Sequence, residues 1–240
     1  MDQLPLITYR KAKFEKARLR DIKIKRILAI GITTISISFF IWQWLENKQL
    51  PSPDEKGKIT IAPLVMTGGD PYIRALMRTI SASESNVSRP YFVMYGGEYV
   101  SHLNHHPDRC ITIVSGPNRG NCSTAAGRYQ MITTTWLEKA KIYHPYPTNF
   151  ILWNSYSFAP EFQDEVVYKW LNDREAWNAD IPALLRQGKL NDVLKLLSNT
   201  WTSLGYGIEN NTMTSYLPTI YQEILQEELK TNPSKTMPSN

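Results

Sequence analysis

Outside its first 26 residues the sequence has no surplus of positive charge. Of its 27 Lys and Arg, nine fall between Arg10 and Arg26, beside Asp2, Glu15 and Asp21; the remaining 18 basic residues face 19 acidic ones. The net charge of +5 therefore belongs to the N-terminal tail, and the rest offers no basic face for nucleic acid. Metal ligands are scarce as well, with four histidines and two cysteines in 240 residues. His102, His105, His106 and His144 lack the spacing and the cysteine or carboxylate partners of a zinc site, so they read as surface polar side chains. Neither a metal nor a cofactor is expected, and no internal repeat is present. What the chain does have is apolar matter: 42% hydrophobic residues and 13 tyrosines, which suits a packed domain and not a disordered chain.

The uncharged run Ile27–Leu45 follows the basic tail directly. At about 1.5 Å per residue it matches the hydrocarbon thickness of a bilayer. Trp42 and Trp44 lie at its far end, where indoles favour the membrane interface. A buried core helix of this length would not need such asymmetric flanks. Small residues are missing beyond the run, where Trp44, Leu45, Glu46 and Asn47 stand, so a cleaved signal peptide is disfavoured. The sequence thus predicts a cytoplasmic tail (1–26), a single transmembrane helix (27–45) and a linker (46–69). A globular domain (70–230) follows on the outer side of the inner membrane, and then a disordered tail (231–240). Ile59, Ile61, Leu64 and Val65 of the linker could dock on the domain.

Asp70 followed by Pro71 marks a helix start. Ile73, Leu76, Met77 and Ile80 then recur at helical spacing, and continuing that stripe by four reaches Glu84. A carboxyl group placed where an apolar side chain belongs is costly to ionise. A carboxylic acid still protonated near neutral pH can protonate a glycosidic oxygen. Spacing alone leaves a second reading open, in which Glu84 merely ends the helix and faces solvent.

Four blocks, in order, resemble the lambda-type phage endolysins, lytic transglycosylases of glycoside hydrolase family 104. They are Ala75-Leu76-Met77 to Ser83-Glu84; Tyr91-Phe92-Val93-Met94-Tyr95-Gly96-Gly97-Glu98 with His106-Pro107; Ser123 to Gln130 leading to Trp136; and Phe158 to Asp164 with Trp201 and Gly205-Tyr206-Gly207. The resemblance implies a lysozyme-like α+β fold, a helical body with a small β-hairpin lobe over a substrate cleft. The residues agree with it. Positions 91–114 alternate around Gly96-Gly97 as a hairpin would, and helical patterns cover 133–142, 160–173, 190–203 and 214–229. Gly188 reads as a helix C-cap. The chain departs from the family in a short segment between Glu84 and Tyr91, in Ser85-Asn86 where the family carries Gly-Thr, and in the added anchor.

The resemblance further implies peptidoglycan glycan strands as substrate and a scheme with one carboxyl group. Glu84 protonates the oxygen between N-acetylmuramic acid and N-acetylglucosamine. It then acts as base on the muramoyl C6 hydroxyl, which closes onto C1 to leave a 1,6-anhydro end. The alternatives are a muramidase that uses water, or an inactive peptidoglycan-binding module. Gln130, Tyr206 and Tyr129 are the substrate-binding candidates by the match, Tyr206 by stacking on a sugar face. Arg128 reads first as structural near the cleft floor and second as a substrate contact. Glu98 and Asp108 are the candidate second carboxylates, read respectively as a hairpin residue and a turn former. Cys110 and Cys122 bracket a loop and form a candidate disulfide in an oxidising compartment.

The anchor has a direct test. The full chain made in bacteria should sediment with membranes, resist carbonate extraction and be released by detergent. A chain beginning at residue 46 should remain in the supernatant.

Overall fold

The computed structural model describes residues 60–114, 116, 118–146, 148–150, 153–206 and 212–231. The expected cytoplasmic tail, the membrane helix at 27–45, linker positions 46–59 and the C-terminal tail after Thr231 lie outside these residues. No helix among the described residues is long and apolar enough to cross a membrane. In chain order, helix α1 (Pro71–Glu84) precedes the antiparallel ribbon of β1 (Ile111–Thr112) and β2 (Cys122–Ser123). Next come helix α2 (Thr133–Tyr143) and the antiparallel ribbon of β3 (Thr148–Phe150) and β4 (Trp153–Ser155). Helices α3 (Pro160–Asn172), α4 (Arg174–Trp177), α5 (Ile181–Arg186), α6 (Leu190–Leu197) and α7 (Leu217–Thr231) complete the order.

Helix α1 starts as its sequence requires: the Asp70 side chain accepts the Tyr72 N–H at 2.8 Å, and Pro71 opens the first turn. Ile73, Leu76, Met77 and Ile80 have no exposure. Arg74 and Arg78, off that stripe, are buried too, so α1 runs through the interior and not along its edge. The C-terminal α7 covers this second face. Arg74 Nε donates to Glu228 Oε2 at 2.6 Å, and Arg78 Nη1 donates to Glu228 Oε1 at 3.1 Å.

The same arginines hold the described end of the linker. Arg74 Nη1 donates to the carbonyls of Met66 and Gly68, each at 2.9 Å, and Arg78 Nη2 to that of Ile61 at 2.7 Å. Arg128 reaches the carbonyls of Ala62 and Pro63, while Asp164 Oδ2 accepts the N–H groups of Val65 and Met66 at 2.8 and 3.1 Å. Ile61 and Leu64 enter the core. Residues 61–68 form a strap whose polar backbone is met by buried ionic side chains.

The expected hairpin over 91–114 is present only in reduced form. Its turn lies at Gly96-Gly97, with φ of 81° and 90°, values that favour glycine. Around it Met94 N–H donates to Glu98 O at 2.7 Å and Val100 N–H to Phe92 O at 2.9 Å. The pairing is limited to the bridge Val93↔Tyr99, and Met94 also bridges Ala126. The regular ribbon instead pairs Ile111 with Ser123 and Thr112 with Cys122. Beside it the Cys110–Cys122 disulfide is formed, with Cα atoms 5.3 Å apart.

Helix α6 ends at Leu197, earlier than its pattern suggests. After it Trp201 turns inward and its indole N–H donates to Tyr129 O at 2.9 Å. Short helices α4 and α5 escape a periodicity reading, yet each begins on an aspartate cap. Asp173 accepts from Glu175 N and Ala176 N, and Asp180 accepts from Ala183 N. Gly188 follows α5 at φ 73°, in the position of a helix C-cap.

Two histidines read as surface residues are core residues: His106 and His144 are 4% and 8% exposed. Both precede a proline, and both use Nδ1 to accept the N–H two residues on, from Asp108 at 3.2 Å and Tyr146 at 3.0 Å. Nε2 then donates to a carbonyl, Met131 O at 2.8 Å or Ser157 O at 3.2 Å. Each ring thus closes its own turn and needs to be neutral to do so. Among the described residues no group of His, Cys, Asp or Glu could hold a metal.

Burial is the main cause that pulls both imidazoles below their ordinary pKa of 6.5. Between the lowered folded value and the unfolded one, the unfolded chain binds more protons, so stability falls as pH falls. Above the unfolded value both states are neutral and this contribution is constant. The urea midpoint should therefore hold steady above about pH 7 and decline towards about pH 5. His106→Asn should flatten that decline while lowering the midpoint overall. A decline as steep in His106→Asn as in the parent would show that this ring does not cause it.

Candidate functional site

Glu84 is the last residue of α1 and is partly exposed, where the helix emerges from the core. Two neighbours fix that end. Ser85 caps the helix through its N–H to Ser81 O at 2.9 Å, and its Oγ donates to Arg128 O at 2.5 Å. From the other side Ser203 Oγ donates to Glu84 Oε1 and lies 3.0 Å from Ser83 Oγ. Ser203 belongs to the 3-10 turn Thr202–Leu204, after α6. The helix end is thus held by two loops from distant parts of the chain, 126–131 through Ser85 and 201–206 through the Glu84 carboxyl group.

The first loop has a rigid base. Gly127, at φ 74°, could not carry a side chain: a Cβ there would lie 2.3 Å from Gln163 Oε1 and 2.8 Å from Phe158 Cζ. That closeness lets Gln163 Oε1 accept the Arg128 N–H at 2.9 Å, while Gln163 Nε2 donates to Tyr91 O and Phe158 O. Arg128 itself has no exposure; Nη1 donates to Tyr91 Oη at 3.0 Å as well as to the strap. Tyr91 in turn donates to Asp164 Oδ2 at 2.8 Å, and Tyr129 donates to Asp164 Oδ1 at 2.6 Å. Burial, then the nearby Asp164, raise the pKa of both tyrosine hydroxyls, so they remain proton donors.

Arg128 stands as its first reading, structural, has it, and Tyr129, a substrate-binding candidate by the match, is placed inside the core beside it. Both lie inside the core with their polar groups turned to Tyr91, Asp164 and the strap, and Tyr129 is 1% exposed. Gln130 is partly exposed at φ 44°, with Nε2 donating to Gly127 O at 2.9 Å and Val93 O at 3.2 Å. Its amide is therefore oriented by the backbone. Tyr206 is 61% exposed at φ 64°, three residues after Ser203, and Gly207 beyond it lies outside the described residues. Glu98 forms an exposed ion pair with Arg109. Asp108 accepts from Thr133 Oγ1 at 2.7 Å in the His106 turn.

Ser203 was not singled out from the sequence, and Ser85, Gln163 and Asp164 entered only within the family comparison, with no role given to them. Gln163 and Asp164 did carry a signal. They continue the α3 stripe of Val166, Val167, Trp170 and Leu171, all buried, as Glu84 continues that of α1. Ser203 had none, because a serine in a loop looks like any other.

A family model described as Endolysin matches residues 74–226. Among solved structures, bacteriophage lambda lysozyme complexed with a chitohexasaccharide is 25% identical. That match covers 66% of this chain and 97% of that one, with a TM-score of 0.48. A second structure, lysozyme from bacteriophage lambda, is 22% identical over 68% of this chain and 97% of its own, with a TM-score of 0.46. No curated protein matches the chain.

Asp164→Ala removes the acceptor of four donors at once, two hydroxyls and two backbone N–H groups. Leaving such groups buried and unmet should destabilise the domain by about 3–5 kcal/mol. Urea unfolding of the variant beside the parent measures this; a loss below about 1 kcal/mol would mean that water replaces the carboxylate.

Proposed function

The chain belongs to the endolysin family, and on that premise we propose that it is a glycosidase that cleaves peptidoglycan glycan strands. Glu84 is its acid. The observation that carries this reading is the placement of Glu84. It is a carboxyl group at the end of a buried helix, partly open to solvent and held from a second segment by the Ser203 hydroxyl. Such a group can be pre-positioned against a glycosidic oxygen without reorganising at the moment of reaction.

The reaction is lytic transglycosylation. Glu84 gives its proton to the oxygen that leaves C1 of N-acetylmuramic acid, and the C–O bond breaks. It then takes the proton of the muramoyl C6 hydroxyl as that oxygen bonds to C1. The proton lost in the first step is regained in the second, so neither water nor a second carboxylate is consumed. The placement of the other acids agrees, since Glu98 is engaged with Arg109 and Asp108 with Thr133. Gln130 presents its amide to an N-acetyl group, and exposed Tyr206 stacks on a sugar face. Arg128 and Tyr129 keep the 126–131 loop in shape beneath them. Residues 27–45 hold the enzyme at the inner membrane, with the catalytic domain outside the cytoplasm; this part rests on the sequence pattern alone.

Digestion of purified peptidoglycan, with products read by mass, tests the scheme. The wild-type chain should release anhydro-muropeptides, each one water lighter than a reducing end. Glu84→Gln should lower the rate by about 10²–10⁴-fold while keeping the fold. Reducing ends from the wild type would replace transglycosylation by hydrolysis. Glycan binding without release from either chain would leave only a binding module.

A further inference from the structure

We propose that Ser203 is the positioning residue that lets Glu84 hold a proton and later accept one with no heavy atom moving, only a hydroxyl turning; this rests on Glu84 being the acid of the reaction above. Ser203 stands 119 residues from Glu84 in sequence, and its Oγ meets two oxygens, Glu84 Oε1 and Ser83 Oγ, the latter at 3.0 Å. Ser83 Oγ donates to Ile80 O at 2.9 Å. A hydroxyl has one proton and two lone pairs, so towards Ser203 the Ser83 oxygen offers a lone pair only. The single Ser203 proton therefore has two alternative acceptors.

The choice between them follows the charge on Glu84. When the carboxylate is ionised, Ser203 donates to it, a charge-assisted bond. When Glu84 carries its proton, the carboxyl O–H donates to Ser203 Oγ. The Ser203 hydroxyl then turns to Ser83 Oγ, and Ser83 donates to Ile80 O as before. Every hydroxyl is satisfied in both states, and a rotation about one C–O bond separates them. Ser203 neither gains nor loses a proton over the cycle.

The turn that carries Ser203 is built to keep its oxygen in place. Ser203 is buried between Trp201 and Leu204, which are 3% and 0% exposed. Thr214 Oγ1 donates to Ser203 O at 3.1 Å. The chain then passes Thr214 so closely that a Cβ on Gly205 would lie 2.4 Å from Thr214 Cγ2. Retreat of the hydroxyl from Glu84 would have to break this packing.

The test is the pH–rate profile of peptidoglycan cleavage by the full chain and its variants, with thermal unfolding measured alongside. Ser203→Ala removes a donor from the ionised form. The alkaline limb should move up by about one pH unit, and kcat should fall about tenfold with KM unchanged. Ser83→Ala removes the acceptor used by the protonated form, so its limb should move down. Ser203→Thr, which restores the hydroxyl, should return the limb to its wild-type position. A purely structural role would lower rates without opposed shifts, and an unmoved limb in both alanine variants overturns the proposal. Should Ser203→Ala fail to fold, an unmoved or raised limb in Ser83→Ala is sufficient to overturn it. Glu84→Gln separates the two levels. If it is inactive while the serine variants keep the wild-type limb, the relay alone is wrong; if it keeps wild-type activity, the acid lies elsewhere and the relay falls with it.

Discussion

The Tyr91 hydroxyl stands between two ionic side chains that have no solvent exposure, Arg128 and Asp164. It accepts from Arg128 Nη1 and from Val65 N–H, and it donates to Asp164 Oδ2. A lone buried charge is expensive, and pairing repays the cost only when the remaining donors and acceptors are also met. Here all but Arg128 Nε are met, by the backbone of the strap, by Tyr129 and by the Ala62 and Pro63 carbonyls. The result fixes three things in one network: where the strap lies, where the 126–131 loop turns, and where the Arg128 carbonyl waits for Ser85. The end of α1, and with it Glu84, inherits its position from that network.

The charged interior also explains an unusual helix. Helix α1 has apolar side chains on one face and arginines on another, and both faces are buried. Sequence patterning distinguishes apolar from polar, so it reports the first face as core and the second as surface. Arg74 and Arg78 defeat that rule because Glu228 and the strap carbonyls supply in the interior what water supplies outside.

Much of the site was nonetheless legible. The stripe that ends in Glu84, the Asp70 cap and the glycine turn at 96–97 follow from local chemistry and stand where the sequence put them. The Gly127–Gln130 block was legible as important and misread in part. Arg128 was read first as structural, but the resemblance to a family motif could not show that Tyr129 points inward with it while Gln130 remains near the surface. The buried state of His106 and His144 was hidden for a related reason. Each ring is satisfied by the turn it closes and by a carbonyl from elsewhere, and neither partner is visible in a linear reading. Ser203 depends entirely on tertiary placement, since nothing in a Trp-Thr-Ser-Leu run announces a partner 119 residues away.

The clasp between the two ends of the domain has a consequence for how the molecule is made. Arg74 and Glu228 are separated by 154 residues, and closing so wide a loop is among the slowest steps a chain of this size takes. During synthesis α1 emerges first and its partner α7 last. Until α7 docks, Arg74 and Arg78 lack their Glu228 partner and keep only the strap carbonyls. The nascent chain therefore carries Glu84 long before that carboxyl group has a fixed address, since the Ser203 turn that braces it is made 119 residues later.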